Sequence, residues 1–303
     1  MTLPYVTVGE LQNSTLGVDW SSVPRKGASP IENYLALYAL AQEASGMVDA
    51  YVRFSLTGKR YQEYDIADAG SRKAQVTRNG LLTFHADALP VVLVKSFGYQ
   101  YLVRGATSTV VPLAEVLIGG GRKELITHVF DYFARYYEFP LRIDVEYVAG
   151  YAHTFLTAPT PAASPTLPVD DATGMVAGKV LTIYDSPGRS ENVVVASSWT
   201  PAEGAANLPL VSPTVFAHTP VAPDPSDPGV FPVVIPVSCV PGDVKWACVL
   251  TCKTIVEQRG TTALVMGRAG AVASQNLPGK EELVYGSLPL SAAETLEYYR
   301  RIL

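Results

Sequence analysis

The chain has 303 residues, 48% hydrophobic and 17% charged, a composition that excludes a disordered protein and allows a large core or two domains. Its formal net charge is −5, and no cluster of basic residues indicates nucleic-acid binding. The start lacks the basic and apolar stretches of a secretory signal, and the long uncharged runs contain prolines that a membrane-spanning helix does not tolerate.

A long helix is predicted near the N-terminus. Ser29, Pro30 and Glu32 supply an N-cap serine, a proline at the first helical position and a glutamate that can close a capping box. Apolar side chains then recur every three or four residues to about residue 55. One face of this helix is therefore expected to pack on a core.

From residue 61 to residue 147 the apolar period changes to two, which predicts a meander of short strands. The predicted strands cover residues 81–84, 91–97, 110–117 and 141–147. Residues 123–137 fit a strand or a helix equally. In the last strand Arg142, Asp144 and Glu146 alternate with apolar residues, so one face is expected to be buried and the other solvated.

A proline-rich segment follows the strand that ends at Gly150 and Tyr151. Residues 152–240 carry two basic and seven acidic side chains, and β-rich runs at 180–184, 193–196 and 208–211 predict a small β-domain. We therefore expect a discontinuous core, residues 1–151 and 241–303, with residues 152–240 inserted into it. Gly150, Tyr151, Val240 and Pro241 are the predicted hinges.

The C-terminal part is predicted to contain two helices. The first begins at Pro241 and ends at Gly260, a plausible residue after a helix C-terminus. Residues 261–288 are rich in small residues and are expected to form an arm that a partner orders. Ser291 and Glu294 predict a second capping box, which opens a short terminal helix.

No motif in the sequence predicts catalysis, a cofactor or a metal. Asp144 and Glu146 share one strand face, but alternating charge on a solvated face needs no function. Cys239, Cys248 and Cys252 cannot form a closed set of disulfides, which indicates a reducing compartment. No second pair of ligands follows Cys248 and Cys252 at the spacing of a zinc site, and the four histidines are scattered. The glycine-rich stretch 119–123 lacks the other residues of a phosphate-binding loop.

The order of elements resembles the head-tail connector, or adaptor, proteins of tailed bacteriophages. The resemblance rests on the capped helix that ends in Ala50-Tyr51-Val52, the strand meander, residues 145–151, the helix from Pro241 and the terminal Leu296-Glu297-Tyr298-Tyr299-Arg300-Arg301. It covers about residues 29–151 and 238–303. The fold that it implies is an α+β class, a helical connector core with a small antiparallel β-sheet meander, to which this chain adds an inserted β-domain.

The resemblance implies a structural virion protein rather than an enzyme. Such subunits form a ring, usually twelve-fold, that lies in the neck between the portal and the tail and is made in the host cytoplasm. DNA passes through the ring without specific binding. The implied partners are other copies of the chain, the portal protein and a downstream neck or tail protein. The residues expected to bind a partner are Leu296, Tyr298, Tyr299, Arg300 and Arg301.

A second function remains open from the sequence. The inserted β-domain could bind or hydrolyse carbohydrate, with Asp170, Asp171 and Glu191 as the polar residues of its site. A concave pocket lined by these carboxylates would favour this alternative, whereas a wedge-shaped main domain would favour the ring.

Overall fold

The structure of the chain is a computed structural model, and it describes residues 3–24, 26–67, 71–77, 80–129, 140–185, 188–221, 234–258 and 288–300. Four α-helices lie in these ranges: α1 Val8–Gln12, α2 Pro30–Val52, α3 Gly242–Gln258 and α4 Leu290–Arg300. The helix α2 packs against α1, α3 and α4. The predicted arm, residues 261–288, lies almost entirely outside the described residues.

The start of α2 confirms the predicted capping box. The Ser29 hydroxyl accepts the Glu32 N–H at 3.2 Å, and the Glu32 carboxylate accepts the Ser29 N–H at 2.8 Å. The helix ends at Val52 because Arg53 takes a left-handed conformation with φ of 70°. The terminal helix differs from its prediction, since α4 begins at Leu290 and Ser291 lies within its first turn.

Two antiparallel four-stranded sheets form most of the first half of the chain. The first sheet has the strand order β1-β8-β4-β5, and the second has the order β2-β3-β7-β6. The strands are β1 Lys59–Ala67, β2 Ala74–Val76, β3 Leu81–His85, β4 Val91–Tyr101, β5 Thr109–Val110, β6 Leu117–Gly119, β7 Glu124–His128 and β8 Leu141–Ala149.

The expectation of a helical connector core with a small sheet meander is wrong. Across the described residues the protein is mostly β, with four antiparallel sheets and three helices of seven or more residues. The physical reason is that β8 pairs along its whole length with both β1 and β4. In sequence β8 lies about 80 residues from β1 and about 50 from β4, so the alternation of single runs does not reveal these pairings. The sheets, and not the helices, organise the fold.

Two of the predicted strand ranges change. The single strand expected at 110–117 is broken by a 3-10 turn at Leu113–Glu115, because Pro112 precedes it and cannot donate to a strand ladder. Within the ambiguous range 123–137, residues Glu124–His128 form the strand β7, and residues 130–139 lie outside the described residues.

The described part of the inserted segment contains six further strands, which close on one another. They are β9 His153–Phe155, β10 Thr166–Val169, β11 Val180–Ile183, β12 Glu191–Val194, β13 Ala206–Pro209 and β14 Pro236–Ser238. One sheet has the order β12-β11-β14-β9, and the other pairs β10 with β13. Antiparallel bridges from Val195 to Leu210 and from Leu156 to Val169 join the two sheets at both sides. The six strands therefore form a closed arrangement.

Buried apolar side chains fall into two clusters. The larger cluster draws on residues 5–149 and 240–299, and the smaller one on residues 152–237. The larger cluster therefore lies in the ranges of the predicted core and the smaller one in the predicted insert, and the domain division stays a prediction. None of the described helices is long and apolar enough to cross a membrane.

Candidate functional site: an exposed apolar segment

The most unusual surface of the described residues is the stretch 109–119, which we call the apolar segment. Its exposed side chains include Val110, Leu113, Leu117 and Ile118, with relative exposures of 74%, 47%, 65% and 38%. Val111 and Val116 point inward and anchor it in the larger core cluster. Glu115 is its single charged residue. Exposed apolar residues that are contiguous in this way mark interaction sites more often than isolated ones do.

The apolar segment joins the edges of the two sheets. Its start, β5, is an edge strand of the first sheet and pairs with β4 at Gly98 and Tyr99. Its end, β6, is an edge strand of the second sheet and pairs with β7. An edge strand leaves one side of its backbone without a strand partner, which is a common place for another chain to bind.

The opposite edge of the first sheet is also exposed. The edge strand β1 carries Tyr64 and Ile66, with exposures of 70% and 40%. The Arg142 guanidinium lies 5.5 Å from the centre of the Tyr64 ring. The first sheet therefore has exposed apolar side chains at both of its edges, with different chemistry at each.

The solvated face of β8 is used for ion pairs within the chain. Glu146 binds the Arg60 guanidinium, and Asp144 binds Arg142 at 2.9 Å. The two carboxylates that shared a strand face in the sequence are thus each paired with an arginine. This arrangement supports the interpretation that Asp144 and Glu146 are solvated charges of a strand face rather than catalytic residues.

The predicted hinge residues Gly150 and Tyr151 lie at a close crossing of the backbone. The Gly150 N–H donates to the Pro90 carbonyl at 2.9 Å, and the Tyr151 N–H donates to the Leu56 carbonyl at 2.6 Å. The Tyr151 carbonyl accepts the Gly58 N–H at 2.8 Å. These bonds favour a fixed crossing, and the hinge role stays a prediction.

The second pair of predicted hinge residues leads into α3. Val240 is buried in the larger core cluster, and its N–H donates to the Ser238 hydroxyl at 3.1 Å. The Pro241 carbonyl accepts the Lys245 N–H at 3.2 Å, as expected at a helix start. His153 lies beside this junction, with Nδ1 2.8 Å from Ser238 Oγ and Nε2 3.0 Å from the Pro4 carbonyl. Burial lowers the pKa of His153 to about 4.

The residues expected to bind a partner at the C-terminus are placed only in part. Leu296 is fully buried, and Tyr299 is 5% exposed in the larger core cluster. The Tyr299 hydroxyl donates to the Asp243 carboxylate at 2.9 Å, so it holds α4 on α3. Arg301 and the side chains of Tyr298 and Arg300 lie outside the described residues.

The carboxylates of the carbohydrate alternative have separate structural roles. The Asp171 carboxylate accepts the N–H groups of Thr173 at 2.9 Å and of Gly204 at 3.1 Å. Asp170 is exposed to solvent. Glu191 instead contacts the strand-connecting segment near His218. No hydrogen bond between these three carboxylates and no shared polar partner joins them among the described residues.

Sequence reasoning missed a buried group of one histidine and two carboxylates in the insert. His218 is fully buried, with Nδ1 2.8 Å from Asp185 Oδ2 and Nε2 2.8 Å from Glu191 Oε1. Burial by itself would raise the pKa of Glu191, but hydrogen bonds from the N–H groups of Val215 and Phe216 and from His218 lower it. His218 lies 33 positions after Asp185 and 27 after Glu191 in sequence, so no motif reveals the group.

Two of the cysteines lie in the core, where burial favours the thiol over the thiolate. Cys248 and Cys252 are fully buried, and burial raises the pKa of the Cys248 thiol to about 12. The Cys252 pKa is raised for the same reason. Metal binding needs deprotonated thiols. Among the described residues, no group of three His, Cys, Asp or Glu side chains is arranged to hold a metal ion.

No known protein family matches this sequence, and a search of curated proteins gives no match.

Proposed function

We propose that the chain is a structural subunit of a bacteriophage neck, a head-tail connector that forms a ring between the portal and the tail. In this role it surrounds the DNA passage and catalyses no reaction. The observation that carries the proposal is the apolar segment, which exposes Val110, Leu113 and Leu117 along the edges of two sheets. The role is the one that the resemblance in the order of sequence elements implies, although the helical core expected from it is wrong.

A ring needs two different surfaces on each subunit, because its contacts run head to tail. The first sheet offers such a pair at its two edges. One edge carries Val110 in β5, and the other carries Tyr64 and Ile66 in β1. Burial of a half-exposed leucine side chain contributes about 1 kcal/mol, so Leu113 and Leu117 together contribute about 2 kcal/mol per interface. A closed ring repeats this contribution at every subunit contact.

The inserted domain fits a peripheral position. Its closed strands leave few backbone edges for another chain, and residues 152–240 carry a charge of −5, from two basic and seven acidic side chains. An acidic surface does not bind the phosphate backbone of DNA. We therefore place the ring contacts on the core sheets and leave the insert outside them.

The experiment mixes the full chain with a candidate portal protein and counts rings by negative-stain electron microscopy. Native mass spectrometry of the same samples gives the number of subunits. The test variant is the double change Leu113→Gln and Leu117→Gln, and the matched control is Leu35→Gln. Leu35 is 53% exposed on α2, outside the apolar segment, so it controls for the loss of an exposed leucine.

We expect rings with the wild type and the control, and at least a tenfold lower ring yield with the double variant. That factor corresponds to about 1.4 kcal/mol per contact. The proposal is refuted when the wild type forms neither a ring nor a complex with any portal. Assembly of the double variant at the wild-type yield would show that the apolar segment is not part of the interface between subunits.

A further inference from the structure

The buried group at His218 holds a loop of the insert, residues 212–218, which we call the strap. The strap follows β13 and crosses the ends of β11 and β12. Its middle is fixed by Glu191, whose carboxylate accepts the N–H of Val215 at 2.7 Å and the N–H of Phe216 at 3.0 Å. Its end is fixed by His218, whose main chain pairs with Thr160 through two hydrogen bonds of 2.8 Å.

Hydrogen-bond geometry restricts the charge of the His218 ring. Both ring nitrogens face a carboxylate oxygen at 2.8 Å, Nδ1 on Asp185 and Nε2 on Glu191. An ionised carboxylate only accepts hydrogen bonds, and a neutral imidazole has one N–H donor. Each ring contact is a hydrogen bond to an ionised carboxylate only when its ring nitrogen carries a proton, so both bonds exist together only in the doubly protonated ring.

We propose that Asp185, His218 and Glu191 form a charge-dependent latch that closes the strap when both carboxylates are ionised and the imidazole is doubly protonated. The latch is independent of the proposed ring. Burial makes it cooperative, because the side chains of Asp185 and Glu191 are 10% and 8% exposed and that of His218 is not exposed at all. The loss of one charge removes a charge-assisted hydrogen bond at the buried imidazole and weakens the bond at its other nitrogen.

The charged groups that face the imidazole come from two elements. Asp185 follows the end of β11, and Glu191 begins β12. The turn between these strands adds Arg189, whose guanidinium donates to the Ala217 carbonyl in the strap. The strand partner on the other side, Thr160, has no charged neighbour in residues 157–165. The described part of the latch therefore contains two carboxylates, one imidazole and one nearby guanidinium.

The latch opens when acid protonates a carboxylate. The pKa of Glu191 is lowered in the folded state, so its contribution is complete above its ordinary value of about 4.3 and is lost as the pH falls through the lower folded value. Protonation places a hydrogen on an oxygen that already faces N–H donors. The strap then loses the bonds at Val215 and Phe216, while β11 and β12 keep their ladder.

Amide hydrogen exchange of the full chain tests the latch directly. The readout is the protection of the Val215 and Phe216 amides, compared with amides of β11 and β12 in the same sample. Between pH 7 and pH 3, after correction for intrinsic exchange, we expect the two strap amides to lose protection about ten- to hundredfold more than the ladder amides. Equal loss in both groups overturns the proposal.

Variants and nitrogen NMR give independent readouts. At pH 7, Glu191→Gln is expected to lower the protection of the strap amides about ten- to hundredfold, whereas Glu203→Gln leaves it unchanged. Glu203 is a matched control because it is a carboxylate of the insert that pairs with Lys95 of the core at 3.1 Å. In the wild type, the His218 signal, identified by its loss in His218→Gln, is expected to show two protonated ring nitrogens. A neutral ring at pH 7 overturns the proposal.

Discussion

The crossing at Gly150 predicts a large cost for one added methyl group. Gly150 has φ of +106°, a conformation that other residues rarely adopt. A Cβ atom placed there would also lie 2.6 Å from the carbonyl carbon of Thr57, where the obstacle is backbone and cannot rotate away. Gly150→Ala therefore combines a conformational penalty with a steric one.

Two other glycines separate these penalties. Gly105 has φ of +84° with nothing within 4 Å of the added Cβ, so Gly105→Ala carries the conformational penalty alone, about 1 to 2 kcal/mol. Gly58 is not in the left-handed region, but its Cβ would lie 2.5 Å from the Thr173 carbonyl oxygen across the contact between core and insert. Gly58→Ala carries the steric penalty, about 1 to 3 kcal/mol. We expect Gly150→Ala to lower the free energy of unfolding by the sum of the two penalties, about 2 to 5 kcal/mol.

The assay is urea unfolding of the three variants at pH 7, followed by the fluorescence of tryptophans such as Trp20, which is 3% exposed in the core. The expected order of cost places Gly150→Ala first. The reasoning fails when Gly150→Ala lowers the free energy of unfolding no more than Gly105→Ala does. The Thr57 carbonyl would then move away from the added Cβ without an energetic penalty. A cost for Gly58→Ala near zero would show that the core and the insert can separate freely at this contact.

Two further predictions concern protons. Burial raises the thiol pKa values of Cys248 and Cys252, so a thiol reagent at pH 8 should modify neither cysteine in the native protein. The reagent should react with Cys239 fastest. Rapid labelling of all three thiols in the native protein would contradict the burial of Cys248 and Cys252. The pKa of His153 in the folded protein, about 4, is below its ordinary value of about 6.5. As the pH drops, the unfolded state therefore binds a proton before the folded state does. The free energy of unfolding consequently falls between pH 6.5 and pH 4. After allowance for its partial exposure, His153 should account for about 2 kcal/mol of that loss, and His153→Gln should reduce it in urea titrations at pH 7 and pH 5. An equal loss in both proteins would refute this assignment.

Local signals in the sequence were sufficient for single elements. The helix α2 was predicted from Ser29, Pro30 and Glu32 because a capping box involves only neighbouring residues. The strand β8 was predicted from its alternation, which likewise depends on adjacent positions. Such a pattern does not show which other strand pairs with the predicted one. The pairing of β8 with β1 therefore escaped prediction, and with it the β-rich class of the core.

The surface and the latch were missed for different reasons. Leu113 is exposed on the 3-10 turn and Leu117 on the edge strand β6, and an apolar run does not reveal which of its sides faces solvent. The latch depends on three residues from different parts of the insert. Asp185 and Glu191 lie on either side of the turn between β11 and β12, but nothing near His218 in sequence marks it as their partner.

The closed strands of the insert also affect how the chain could have been assembled in evolution. The first and last strands, β9 and β14, are hydrogen-bonded neighbours, and the Cys239 N–H donates to the Ala152 carbonyl at 2.9 Å. The two ends of the insert therefore leave the core side by side. A segment with adjacent ends can be gained, lost or transplanted as a cassette, because a short turn can join the core residues that it separates.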